Sequence, residues 1–129
     1  MVLKVRLSGQ QRRRRFHVAG HVHCAALNQQ LLLAGSVASV EGFPLNDPGA
    51  SWKRDLQGDG NTVQAVAVGG DWCAVQTADR RLHFFSHMGV QCYVLNTVGN
   101  CAALVGAGRH LVTFFHIAAT GKCPQATDV

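Results

Sequence analysis

His21 and His23 stand two apart and run into Cys24. On an extended chain that spacing puts both imidazoles on one face. Such a pair can begin a zinc site, which needs four ligands. No CxxC or HExxH spacing completes the set, so the two read as ordinary strand histidines and no metal is expected. Cys73 and Cys92, with His83 and His87 in the same stretch, hold the parts of a Cys–His nucleophile. A reactive thiolate needs an exposed, electropositive setting. Cys73 stands instead in the apolar run Trp72-Cys73-Ala74-Val75, which reads as core. No serine lies in a GxSxG elbow, and no P-loop or GxGxxG occurs. Neither catalysis nor a cofactor is expected.

Binding chemistry is better represented. Lys4, Arg6, Arg12, Arg13, Arg14 and Arg15 put six positive charges in the first 20 residues, with no acid among them. The other 109 residues carry six positives against seven acids, so the whole net charge of +5 comes from this arm. Such a run can bind phosphates or act as a nuclear import signal. The plainer reading is a solvated loop. Trp72, Phe84, Phe114 and Phe115 could stack on single-stranded nucleic acid. Their places in apolar strands make core packing the expected role. Trp52, beside Lys53 and Arg54, is the aromatic expected at the surface.

The elements that hold these residues read as short strands. Thr62 to Leu95 makes four of them in about 34 residues, with loops of about three, the size of one propeller blade. Thr62 to Val68 alternates, with Val63, Ala65 and Ala67 expected on one face. Gly69-Gly70-Asp71 turns, Trp72 to Thr77 is the second strand, and Ala78-Asp79-Arg80 turns again. Arg81 to Ser86 follows, then the turn His87-Met88-Gly89, then Val90 to Leu95. Upstream, Val2 to Leu7, Phe16 to Val18, His21 to Leu27, Leu31 to Val37 and Ser51 to Leu56 read as strands. Ser8 to Arg15 and Gln57 to Asn61 read as polar connections. Glu41 to Ala50, with two glycines, two prolines, Asn46 and Asp47, is the strongest loop signal. Cys101 to Val105 and His110 to His116 make a last pair around Gly106-Ala107-Gly108. No pattern is visible from Thr120 on.

Three segments share a design of strand, turn and strand: Cys24 to Ser36, Val66 to Ala78, and Cys101 to Phe115. Leu27, Val68 and Leu104 take equivalent places, close to the period of propeller blades. The fold expected is all-β, with antiparallel four-stranded blades of an incomplete propeller, about two to three blades in all. The divisions are a basic arm at 1–15, a partial propeller at 16–121 and an unstructured tail at 122–129. A ring needs roughly four to eight blades, so open edges remain. The chain then reads as part of a longer protein, or as one that closes by self-assembly.

The 47% apolar content suits a packed core, and the cysteines (Cys24, Cys73, Cys92, Cys101, Cys123) are odd in number. Met1 to Lys4 has no apolar signal region, and Arg109 and His110 break the longest apolar run. Reduced thiols, an intracellular protein and no membrane span are expected.

The central stretch also resembles a known family. Val66 to Thr77 (VAVGGDWCAVQT) and Arg81 to Gln91 (RLHFFSHMGVQ) are similar to the second β-propeller of the replisome adaptors called WD repeat and HMG-box DNA-binding protein. That family shows a Gly turn, a GW pair followed by alanines, and an aromatic strand ending in GVQ. Trp72, Phe84, Gly89, Val90 and Gln91 carry the motif here, and Asp71 stands where the family usually has Gly. The likeness covers Phe16 to Gly121, with a core of about 27 residues from Ala65 to Gln91, and Met1 to Arg15 matches nothing in it. It implies a nuclear, non-enzymatic scaffold in DNA replication, linking the replicative helicase complex to DNA polymerase α on chromatin and trimerising in the full-length protein. DNA is a further partner. The rival expectation is a nucleic-acid-binding fragment acting through the basic arm alone.

Overall fold

Short runs of alternating apolar residues, closed by glycine and polar turns, make thirteen strands among the described residues. They are β1 (Val2–Val5), β2 (Arg14–His17), β3 (Cys24–Leu27), β4 (Leu31–Gly35), β5 (Ser39–Pro44), β6 (Trp52–Asp55), β7 (Val63–Val68), β8 (Trp72–Thr77), β9 (Arg81–Ser86), β10 (Gln91–Asn96), β11 (Cys101–Ala107), β12 (His110–Phe115) and β13 (Gln125–Asp128). The structure is a computed structural model that describes residues 1–6, 13–56, 62–116 and 125–128.

The strands form antiparallel meanders. β3-β4-β5-β6 is one four-stranded blade and β7-β8-β9-β10 a second. β11-β12-β13 is a three-stranded sheet, and β1-β2 is a hairpin. The blades stack face to face. Leu31, Leu33, Val40 and Trp52 of the first meet Val66, Val75 and Phe85 of the second. Ala67, Ala74, Leu82 and Phe84, on the other face of the second blade, meet Leu111 of the third sheet. The hairpin lays Val5 and Phe16 on Leu32 and Leu45 of the first blade. Each of the two four-stranded blades is apolar on both faces because a neighbour covers both. The architecture is that of propeller blades, and among the described residues no sheet closes into a ring.

Four local expectations change. The pairing of β7 with β8 shifts between Val63 and Ala65, a bulge that moves every later residue to the other face. Val63 therefore shares its core with Val66 and Val68, while Ala67 faces the third sheet. The loop expected at Glu41 to Ala50 begins later. Glu41 to Pro44 pair with Leu31 to Ala34 inside the first blade, and one 3-10 turn remains at Pro48–Ala50. Arg14 and Arg15 belong to β2 rather than to a loop. The unpatterned tail contains β13, which pairs with β12. The repeat also sharpens. β11 runs three residues past Leu104, so Ala107 is the true equivalent of Leu27 and Val68 at the strand end. The connection at 57–61 lies outside the described residues.

Candidate functional site

The basic residues divide by strand alternation. In the hairpin, Lys4 stands opposite Arg15 and Val5 opposite Arg14. Lys4 and Arg15 are exposed. Arg14, on the buried face with Val5 and Phe16, points under the hairpin. Its Nη1 donates to Leu45 O at 2.9 Å, and its guanidinium lies 5.3 Å from the Phe16 ring centre. Arg14 is thus a clasp between hairpin and first blade. Arg6 and Arg13 flank the last pair, and both are exposed. Arg12 lies outside the described residues. Among the described residues, ion pairs join Lys53 to Asp55 and Arg81 to Asp79, and none reaches the hairpin. Glu41 is buried and spends its Oε1 accepting from Ala19 N–H at 2.8 Å. The result is an unneutralised strip of Lys4, Arg6, Arg13 and Arg15.

The motif residues sit at the seams between blades. Trp72 Nε1 donates to Gly108 O at 2.8 Å, tying the second blade to the third sheet, and its ring lies 6.1 Å from Phe84. Trp52 does the same one blade earlier, donating from Nε1 to His87 O at 2.8 Å. The expectation that Trp52 is a surface aromatic is therefore overturned. It is buried in the core between the blades, tilted against Phe85 at 5.9 Å. Only its neighbours Lys53 and Arg54 reach solvent, and Arg54 Nε donates to Gly89 O. Sequence reasoning missed this because Gly42 and Gly89, which make room for the indole, read as turn residues. Gly89 takes φ +83° and packs against Trp52. Val90 is exposed, and its O accepts from Ser86 N–H at 2.8 Å. Gln91 opens β10 opposite Phe85.

Of the Cys–His parts, Cys73 and His83 are buried, His87 is half-buried and Cys92 is exposed. Cys73 is fully buried, and burial, then the nearby Cys92, push its thiol up to about 12. Cys92 is exposed on β10. His87 Nε2 contacts Gly69 O at 3.0 Å and Trp72 O at 3.2 Å. His83 is buried between Thr77 Oγ1 at 3.3 Å and Gln91 Nε2 at 3.4 Å. Burial pushes it below its ordinary value, Asp79 opposes, and Arg81 adds to the lowering. The folded state then holds fewer protons than the unfolded one. Stability is full above the unfolded value of about 6.5 and falls as pH drops below it. The urea midpoint should fall between pH 7.5 and 5, and His83→Gln should flatten that slope. An unchanged slope would show that other groups carry it. His21 and His23 are exposed, and no cluster of three ligating side chains occurs among the described residues. Among them, too, no helix is long and apolar enough to cross a membrane.

The model of a family described as "Minichromosome loss protein, Mcl1, middle region" matches residues 4–127. The chain belongs to that family. It is the replisome-adaptor family that the Gly69 to Gln91 motif resembles. No curated protein matches the chain. Among solved structures, one described as "Structure of U3-55K" is similar, with TM-score 0.61 and 17% identity, over 78% of this chain and 36% of that one. At that identity the likeness speaks for the fold. The Mcl1-family chain spans about a third (36%) of the length of that structure.

Proposed function

We propose that this chain is a non-enzymatic protein-interaction scaffold. It serves as a propeller segment of a DNA replication adaptor that joins the replicative helicase complex to DNA polymerase α on nuclear chromatin. The full-length protein trimerises. The observation that carries the reading is the stack of blades over a span that matches the Mcl1 middle region from residue 4 to 127. The aromatic and buried polar residues serve packing: Trp52 and Trp72 clamp successive layers, and Cys73 and His83 are buried. Residues 16–121 supply most of the propeller segment, and the basic residues of 1–15 lie on the hairpin that packs against its first blade. The test is a full-length adaptor with Trp72→Ala. Polymerase α and helicase subunits should no longer co-purify with it from chromatin. Undiminished co-purification would sink the reading.

A second reading has its own observation, the unneutralised strip on the hairpin. Here DNA binds through Lys4, Arg6, Arg12, Arg13 and Arg15, with Arg14 mainly holding the hairpin. If four exposed cations each neutralise a phosphate, log K should fall with log salt at a slope of roughly −3 to −4. Replacing Lys4, Arg6, Arg13 and Arg15 with Ala should remove those roughly 3 to 4 units of slope, leaving only what Arg12 contributes. A salt-independent affinity would rule this reading out.

A further inference from the structure

Among the described residues β2 has a free outer edge. It takes the place of an outermost strand, because it leads directly into an innermost one, β3, as β6 leads into β7 and β10 into β11. The edge therefore faces the rim, however the ring continues on its inner side. Val18 N–H donates to Met1 O at 2.9 Å, and the Met1 ammonium donates back to Val18 O at 3.2 Å. In an antiparallel ladder such exchanging pairs alternate with non-exchanging ones. Counting from Met1 and Val18, the pairs Leu3–Phe16 and Val5–Arg14 exchange hydrogen bonds, and Val2–His17 and Lys4–Arg15 do not. The N–H and C=O groups of Arg15 and His17 thus point outward, away from β1. Among the described residues they have no hydrogen-bond partner.

Two further features flank that edge. A cleft of about 220 Å³ lies beside β2, with apolar walls from Phe16, Phe43, Pro44 and Pro48 and a polar margin from Arg14, Arg15, His17 and Ser51. The exposed cations Arg13 (just before β2), Arg15 of β2 and Lys4 of β1 alternate with Phe16 along the hairpin, and Arg15 also reaches the margin of the cleft. Unpaired backbone calls for an extended chain, because alternate amides and carbonyls of a strand match it. The cleft calls for apolar side chains on one face of that chain. The cations call for carboxylates on the other. A phosphate backbone would use the charge and could accept from the N–H groups, but it has no donors for the outward carbonyls and nothing apolar for the cleft walls.

We propose that the outer edge of β2 docks an extended acidic peptide of a partner protein. The peptide adds a strand to the hairpin, sets every second side chain in the Phe16–Phe43 cleft, and turns the intervening carboxylates toward Arg13 and Arg15. The inference rests on the scaffold reading only in taking the partner to be a protein.

The test uses the 129-residue chain and a fluorescent peptide of about nine residues that alternates Ile or Val with Asp or Glu, read by anisotropy. Two N-methylated versions are compared, one modified at odd amides and the other at even ones. Only one set faces β2. That version should bind at least about tenfold more weakly, because it loses several backbone hydrogen bonds, and the other should bind like the parent. Arg13→Ala with Arg15→Ala should weaken the parent peptide and leave the contrast between the methylated pair. Equal binding by the two methylated peptides overturns the proposal. So does no binding by any of them, or binding shown only by an oligothymidine strand. Those results leave the scaffold reading intact, because it is judged by co-purification with the full-length adaptor.

Discussion

Replacing Gly69 with valine should cost more than about 3 kcal/mol and lower the urea midpoint of the chain by at least about 1 M. Gly69 ends β7 at the point where the Trp72 indole crosses the backbone. A Cβ there would clash with the Cε2, Cζ2 and Nε1 atoms of the indole. The ring has nowhere to go without giving up its hydrogen bond to Gly108 O and its packing on Phe84. The same peptide is a junction for other groups. Gly69 O accepts from Asn28 Nδ2 at 2.9 Å, so the turn of the first blade is tied to that of the second. Gly70 N–H donates to Gly108 O at 2.9 Å, which extends the tie to the third sheet. Displacing one glycine therefore strains two interfaces at once. Gly108→Ala is the control. Gly108 has φ +56° and open space where a Cβ would stand, so only backbone strain of about 1 kcal/mol is at issue. If the two substitutions cost the same, steric exclusion by Trp72 is not what fixes Gly69.

These glycines show what the sequence revealed and what it concealed. Strands β8 and β9 were legible because β-branched, aromatic and alanine residues run between unmistakable turns. The aromatic roles of Trp72 and Phe84 followed from their places in those runs. Gly42 misled, since glycine also marks close approach, and here it underlies Trp52 inside β5. The bulge after Val63 left no mark in composition, yet it decided which face of β7 meets which neighbour. The four-arginine run was visible as charge. Its division into an exposed strip and the half-buried clasp of Arg14 depended on pairing with β1, a contact between segments that sequence pattern does not fix. The free edge of β2 was hidden for the same reason, because it follows from which pairs of the ladder exchange hydrogen bonds.

Phe85→Ala should cost about 3–5 kcal/mol, while Phe84→Ala, one residue away, should cost distinctly less. The two side chains point to opposite faces of β9. Phe85 is 1% exposed and fills the seam between the two complete blades, against Trp52 and among Leu31, Leu33 and Val40. That seam is closed, so truncation leaves a cavity that neighbours cannot collapse into without disturbing two blades. Phe84 faces the third sheet. It stacks on Tyr93 at 4.6 Å, and Tyr93 is itself 53% exposed. A cleft of about 210 Å³ lined by Trp72, Phe84, Tyr93, Arg109 and Leu111 adjoins it. Water can enter there when the ring is removed, and Tyr93 can settle inward, so the cavity term shrinks. With total stability of order 5–15 kcal/mol, Phe85→Ala brings the chain near its unfolding threshold and Phe84→Ala does not. Urea titrations of the two variants, followed by tryptophan fluorescence, measure the difference directly. The Phe85 variant should also shift the Trp52 emission to the red before global unfolding, because Trp52 loses its partner. Equal midpoints for the two variants would mean that the seam to the third sheet is as tightly packed as the seam between the blades.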